Sequence, residues 1–211
     1  MIKTPSPTSQ RTAPITLSEA AWLTELSAKT INAAIDRGEL PRARVHRKGT
    51  VRRQVRTLSY ADVVYLALRK QLGKLLSPRA KNELYEEIAR LECDGATNME
   101  YGLCAQVEIA LAGGVIRIDM KQTNHRLRTR WAALRNAEKR IVSDEDIRGG
   151  EPVIRNTRVP VYVIADLIKQ GAGLDEVLED YPSLNASEVT AALVYAEAHP
   201  RRGRPKNPPW Q

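Results

Sequence analysis

Apolar residues at helical spacing alternate with turn residues along most of the chain. Over residues 17–23 and 31–35 they recur every three or four positions, which is the pattern of two short helices. Ser18 and Ser27 stand where these helices would begin and can accept hydrogen bonds from the first free amides. Gly38 can end the second helix in a left-handed conformation. The N-terminal part therefore predicts a helix, a tight turn and a second helix.

A basic segment follows these helices. Residues 42–56 contain seven Arg or Lys side chains and no acid, and Lys48-Gly49 is typical of a turn between two strands. Ser59 is the predicted cap of a helix that runs to about Leu72. An isolated basic run is usually a solvated face. A run directly after a helix pair instead indicates phosphate contacts, each of which adds salt-dependent affinity.

Residues 75–140 predict a helix, a β-hairpin and a basic helix. The first helix spans about 78–93, the strands 103–111 and 115–120, and the last helix about 124–140. A lone hairpin is only marginally stable in water. We therefore expect another element to cover it, and this region to supply the contact of a homodimer.

Residues 141–199 predict three short helices in a homeodomain-like bundle. The first lies between Pro160 and Gly171, the second spans 174–181, and the third begins at a capping box on Asn185. Taken with the preceding segments, the chain is predicted to be mainly α with small β elements, an α+β organisation.

Charge changes sign along the chain, which has 211 residues and a formal net charge of +8. Residues 1–74 hold 14 basic and 5 acidic side chains, whereas residues 141–199 hold 4 and 11. Residues 200–211 add four bases and no acid. We infer that the N-terminal part meets a polyanion and that the acidic part meets a different partner.

Composition excludes several classes of protein. No apolar run approaches the roughly 18 residues of a membrane span, and residues 1–10 have no signal-like stretch, so we expect a cytoplasmic protein. Cys93 and Cys104 fit a reducing compartment and lack zinc-ligand spacing. Because we find no Ser-His-acid set and no glycine-rich phosphate loop, we expect no enzyme, no cofactor and no metal site.

The N-terminal pattern resembles the winged helix-turn-helix of MerR-like and excisionase-like DNA-binding domains. Residues 17–21, 26–31 and 35–41 carry the likeness, which covers about 15–72. It implies that the second helix lies in the major groove of double-stranded operator DNA. The expected DNA-binding residues are Ser27, Lys29, Thr30, Asn32, Arg37, Arg42, Arg44, Arg47, Lys48, Arg52 and Arg53.

The segment from Ile141 to His199 closely resembles a small bacterial family, long labelled a domain of unknown function, that occurs as the antitoxin half of toxin-antitoxin pairs. The likeness is carried by residues 150–154, 157–161, 167, 171, 176–184 and 191–196. Asn156 stands where the family usually has glycine, and asparagine also tolerates a left-handed backbone. Members are similar to VapB-type antitoxins and pair with PIN-like ribonuclease toxins. The expected toxin-binding residues are Arg158, Tyr195, Arg201, Arg202, Arg204, Lys206 and Trp210.

Two of these features have competing interpretations. Arg158 either braces its domain through a carboxylate or helix C-terminus, or contacts the partner. The tail either contacts the toxin with its guanidinium groups and Trp210, or places an AT-hook-like core at residues 202–205 in the minor groove, or only improves solubility.

These observations predict five segments. They are a disordered arm (1–14), a winged helix-turn-helix (15–74), a helix-hairpin-helix dimerisation region (75–140), an antitoxin-type helical domain (141–199) and a basic extended tail (200–211). The first hypothesis is an antitoxin that neutralises a PIN-like ribonuclease and represses its own operon.

The second hypothesis is a DNA-binding transcription regulator without a toxin partner. A third is a nuclease or other hydrolase that uses Asp144, Asp146 and Glu151. The helix dipole explains the acidic residues at 144–146 better than catalysis does.

Overall fold

The computed structural model describes residues 14–48, 53–93, 106–111 and 113–201. Within them the chain is mainly helical with a few short antiparallel strands, which confirms the predicted fold class. The chain divides into two compact units, residues 1–129 and 130–211. The predicted arm falls almost wholly outside the described residues, as does the tail beyond Arg201.

The first unit begins with two short helices, α1 (Leu17–Thr24) and α2 (Ala28–Asp36). Helix α1 is capped by Thr16, which accepts a hydrogen bond from the Glu19 amide at 3.3 Å. The Glu19 carboxylate accepts in return from the Thr16 amide at 2.7 Å, so the predicted cap at Ser18 is wrong. Ser18 lies inside the first turn because the Thr16–Glu19 pair forms a capping box.

The cap and the end predicted for α2 are both confirmed. The Ser27 hydroxyl accepts from the Thr30 amide at 3.1 Å, and Gly38 follows the helix with a φ of 71°. The turn between the two helices is made by Glu25, whose φ of 54° is left-handed. A non-glycine residue in this conformation permits a tight reversal at some cost in strain.

A small sheet forms beside these helices. Its strands are β1 (Ile15–Thr16), β2 (Arg44–Lys48) and β3 (Arg53–Leu58), in the antiparallel order β1-β3-β2. The two-strand prediction for the basic segment is confirmed. Lys48 is the last residue of β2, and Gly49 lies outside the described residues.

Helices α3 (Tyr60–Leu72) and α4 (Pro78–Cys93) form most of the core of the first unit. The predicted cap at Ser59 is confirmed, since Ser59 accepts from the Asp62 amide; at the start of α4, Ser77 accepts from the Ala80 amide. α3 packs against both α1 and α4.

A hairpin and a long helix follow. The strands β4 (Gln106–Leu111) and β5 (Gly114–Asp119) pair antiparallel, and α4 covers β4. Helix α5 (Lys121–Lys139) begins three residues before the predicted Asn124. The Asp119 carboxylate accepts from the Lys121 amide at 2.8 Å, which provides an earlier start. The boundary between the two units falls within α5.

The second unit contains one short strand pair and three helices. β6 (Ile141–Val142) pairs with β7 (Val153–Ile154). The helices are α6 (Val161–Lys169), α7 (Leu174–Asp180) and α8 (Ala186–Ala198). Their packing buries an apolar core, and the predicted three-helix organisation is confirmed.

Candidate nucleic-acid interface and partner-binding surface

Helix α2 has one buried side and one exposed side. Ile31 and Ala34 are fully buried, whereas Ser27, Lys29 and Thr30 are exposed. The division follows from the three-residue apolar spacing, which places small hydrogen-bonding side chains and one cation on the outer face. Side chains of this kind can approach base edges or phosphates closely.

Arg56 ties strand β3 to helix α2. Its guanidinium donates to Asn32 Oδ1 at 2.9 Å and forms an ion pair with Asp36 Oδ1 at 2.8 Å. Asn32, predicted to bind DNA, is half-buried and uses its side-chain oxygen in this contact. Arg56 was absent from the predicted site residues. The available signal was Asp36, an acid on a helix that precedes a segment of seven cations.

The end of α2 is held by a second set of charges. Arg37 Nε donates to Glu39 Oε1 at 2.8 Å, and Arg69 of helix α3 also pairs with the Glu39 carboxylate. About half of the Arg37 side chain remains exposed. Arg37 therefore remains partly accessible to solvent at the end of the helix. The Glu39 carboxylate links that end of α2 to α3.

Arg42 has a structural contact that the sequence did not predict. Its Nη1 donates to the Ala89 carbonyl at 3.0 Å, and its backbone amide donates to the Tyr85 hydroxyl at 3.2 Å. The Tyr85 hydroxyl in turn donates to Asp62 Oδ1 at 2.8 Å. Burial and the neighbouring Asp62 raise the pKa of Tyr85 well above its ordinary value. Arg42 thus fastens the segment before β2 to helix α4.

The remaining predicted DNA contacts lie along the hairpin. Arg44, Arg47 and Lys48 belong to β2, and Arg53 begins β3. In the pairing register, Arg44 stands opposite Thr57 and Lys48 opposite Arg53. Arg52 lies outside the described residues. The two paired strands are therefore both rich in basic residues. Arg56, near the end of β3 and opposite Val45, links them to Asp36 of α2.

In the second unit, a pocket of about 550 Å³ opens beside the start of helix α6. Val159, Pro160, Val163 and Tyr181 supply its apolar wall, and two cations, Arg148 and Arg158, also line it. Arg158 is exposed and makes no hydrogen bond or ion pair with any described residue, so the bracing interpretation finds no support there.

Two further predicted toxin-binding residues lie at or just beyond the end of α8, namely Tyr195 and Arg201. The rings of Tyr195 and His199 lie 4.5 Å apart, and Tyr162 donates its hydroxyl proton to the His199 carbonyl at 2.7 Å. Arg201 lies 4.7 Å from the Tyr162 ring and pairs with Glu151 at 3.4 Å.

Arg201 also pairs with Asp166 at 3.6 Å, so this residue is engaged within its own unit. Tyr195 is half-buried against the core. The remaining tail residues of the prediction, Arg202, Arg204, Lys206 and Trp210, lie outside the described residues.

His199 has a further partner in helix α5. Its ring Nε2 lies 3.3 Å from Glu138 Oε1, and Arg135 pairs with the same carboxylate. Burial acts to raise the pKa of Glu138, but the hydrogen bonds and charges of His199 and Arg135 outweigh it, and the pKa is lowered. The end of α8 is therefore fixed by an ionised acid.

Comparison with known proteins adds two similarities. A family model described as Protein of unknown function (DUF433) matches residues 141–196. A curated protein of Sinorhizobium fredii, named Uncharacterized protein y4eO, is 29% identical over 187 residues, which cover 89% of this chain and 82% of that protein. No solved structure matches the chain significantly.

The match to residues 141–196 confirms the likeness to a domain labelled as of unknown function, whereas the antitoxin role stays a prediction. Among the described helices, none combines the length and apolar composition that crossing a bilayer requires. Residues 141–196, within the acidic segment, are thus similar to a known domain family, and most of the chain is similar to the Sinorhizobium protein.

Proposed function

We propose that this protein is a DNA-binding antitoxin of a type II toxin-antitoxin pair that acts in the cytoplasm. Its first unit binds operator DNA and represses its own operon. Its second unit, with the tail, binds and neutralises a PIN-like ribonuclease toxin. The proposal gives the protein no catalytic reaction of its own.

The observation that carries the proposal is the Arg56 contact. Arg56 joins the basic hairpin to helix α2 through Asn32 and Asp36, at 2.9 and 2.8 Å. Helix α2 exposes small polar side chains, and Arg56 fixes a strand of the basic hairpin beside it. This combination supports DNA binding of the MerR-like type, with α2 in the major groove and the hairpin along the phosphates.

Charge supports a different ligand for the second unit. Residues 141–199 carry 11 acidic and 4 basic side chains, so phosphates would be repelled there. The similarity to a domain family over residues 141–196 is consistent with a separate module. A protein partner suits this surface better than nucleic acid does.

The hairpin of β4 and β5 supports a homodimer. Val115 is 59% exposed and Ile116 is 36% exposed on a two-stranded sheet, of which α4 covers the β4 side. Apolar side chains on an exposed strand favour pairing with another chain. A second copy would also supply the second recognition helix that palindromic operators require.

Two measurements on the full chain test the proposal. Fluorescence anisotropy should detect specific binding to the duplex upstream of its own reading frame, with weaker binding to a scrambled duplex of the same length. Co-expression with the product of the adjacent reading frame should yield a stable complex and relieve the growth arrest that this product causes alone.

The outcomes separate the two hypotheses. Specific DNA binding beside a neighbour that is neither toxic nor retained would indicate a transcription regulator without a toxin. Toxin capture with no preference for the upstream duplex would contradict the assignment of the first unit.

A further inference from the structure

We infer that the pocket beside helix α6 binds an acidic side chain of the protein partner together with an adjacent apolar group, and that Arg158 is the residue that recognises the carboxylate. This inference rests on the proposed function, because it specifies how the second unit holds its partner.

Arg158 differs from most of the arginines around it. Arg148 also lines the pocket, but it already pairs with Glu151 at 3.2 Å, and Arg155 donates to the Lys139 carbonyl at 2.8 Å. Arg201 pairs with Glu151 and Asp166. Arg158, although it lies in a strongly acidic segment, has no acceptor among the described residues. Its five donors are therefore available for a ligand.

The loop that carries Arg158 is fixed on both sides. The Thr157 hydroxyl donates to the Ile154 carbonyl at 2.8 Å and accepts from the Val159 amide at 3.1 Å. The Ile154 amide donates to the Val159 carbonyl at 3.0 Å. Asn156 holds the left-handed position of the turn with a φ of 63°. The guanidinium thus projects from a backbone that is already ordered before a ligand arrives.

The chemistry of the pocket selects a carboxylate beside an apolar group. A guanidinium binds a carboxylate through two parallel hydrogen bonds. Pro160, Val163 and Tyr181 form a wall suited to a short aliphatic or aromatic group. The helix dipole at the start of α6 adds a partial positive charge on the same side.

The surrounding charge disfavours a nucleic acid as the ligand of this pocket. Residues 141–199 carry seven more acids than bases, which would repel a run of phosphates. One carboxylate that enters the pocket is paired with Arg158 and has an apolar neighbour that gains from burial. An acidic residue next to a leucine-like residue on the partner meets both conditions.

N-acetyl-leucine is a suitable probe, because it joins a carboxylate to an isobutyl group, and N-acetyl-leucinamide is its uncharged match. In NMR spectra of the full chain, N-acetyl-leucine should shift resonances of Val159, Val163 and Tyr181 with a dissociation constant on the order of millimolar. The amide should bind at least tenfold more weakly.

Arg158→Gln should lose the binding of N-acetyl-leucine, and Lys169→Gln, which removes an exposed cation elsewhere on α6, should retain it. Unchanged spectra outside the loop would verify that the Arg158 variant is folded. Equal binding of the amide, shifts confined to other parts of the chain, or binding by Arg158→Gln equal to that of the parent would overturn the inference.

The partner complex distinguishes failure of this inference from failure of the proposed function. If the parent chain retains the neighbouring gene product, Arg158→Gln should weaken that complex at least tenfold and Lys169→Gln should not. Retention of the partner by Arg158→Gln with parental affinity would overturn the pocket alone. If the parent chain retains no partner, the proposed function fails, and the probe experiment still decides whether the pocket binds a carboxylate.

Discussion

The two units use their basic side chains in opposite ways. In the first unit Arg56 of strand β3 pairs with Asp36 and so holds the basic strand beside helix α2, whose outer face is exposed. In the second unit Arg148, Arg155 and Arg201 bind acceptors within the unit, which leaves Arg158 open at a pocket. The comparison shows that a count of the arginines in a segment does not reveal which of them already pair within the fold.

The largest expected effect comes from removing charge from the hairpin. The triple variant Arg47→Ala, Lys48→Ala, Arg53→Ala should weaken binding to the upstream duplex by roughly 100-fold, because each phosphate contact contributes separately. The plot of log affinity against log salt has a negative slope, and the magnitude of that slope should fall by about 3. Anisotropy titrations over a range of salt concentrations would measure both quantities.

A matched variant tests whether position or mere charge matters. Arg79, Lys121 and Arg128 are exposed cations elsewhere in the first unit. Their joint replacement by alanine changes net charge equally and should reduce affinity far less. Equal losses for the two triple variants would show that the first unit attracts DNA through its total charge, and the contrast drawn between the two units would then be wrong.

The second prediction is that the second unit can be destabilised without a change in the DNA affinity of the first. Ile164 is fully buried in the core of the second unit. Ile164→Ala should lower the free energy of unfolding of that unit by about 3 kcal/mol because it leaves a cavity. DNA affinity should stay unchanged, and retention of the partner should weaken.

Urea unfolding and DNA titration of the same sample would check this result. Ile168→Ala, a partly buried position on the same helix, should cost only about 1 kcal/mol. A parallel loss of DNA affinity in Ile164→Ala would show that the two units do not work independently.

The smallest effect is expected from removal of the Tyr85 hydroxyl, which accepts a hydrogen bond from the Arg42 amide just before β2. Tyr85→Phe should lower stability by about 1 kcal/mol at pH 7, because Asp62 and the Arg42 amide each lose a partner. The pKa of Tyr85 is raised above its ordinary 10.0 by burial and Asp62. Its stabilising contribution is therefore complete below pH 10 and is lost as the pH rises further.

Unfolding curves at pH 7 and above pH 10 would test this predicted loss of stability at high pH. The variant should lose less stability than the parent over the alkaline range. Tyr65→Phe separates the hydrogen bonds from burial: burial also raises the pKa of Tyr65, so this variant too should decline less at high pH, but its hydroxyl has no hydrogen-bond partner among the described residues, so it should cost less stability at pH 7 than Tyr85→Phe. An identical alkaline decline in the parent chain and in Tyr85→Phe would contradict the assignment.

Local signals in the sequence were sufficient for most of the secondary structure. Ser27, Ser59 and Asn185 were predicted as caps, and each accepts the expected amide hydrogen bond. The error at Ser18 arose because Thr16 and Glu19 form a competing capping box only two positions away. Thr16 prevails because Glu19 completes the box by accepting from the Thr16 amide.

The site could be predicted only in part, because its contacts join residues distant in sequence. Arg42 reaches the Ala89 carbonyl and Arg56 reaches Asp36, and no spacing rule connects these positions. The sequence indicated which segments are basic. It did not indicate which of their cations serve the fold and which face solvent, since that division is made by tertiary packing.

The Arg56 contact has a further consequence for the entropy change on binding. A helix and a strand that are already locked together lose little conformational freedom when a ligand arrives, so the entropic cost is met during folding. Loosening that lock, for example with Asp36→Asn, would leave the contacting groups unchanged and would make complexes with DNA form with a larger entropy loss, detectable by calorimetry.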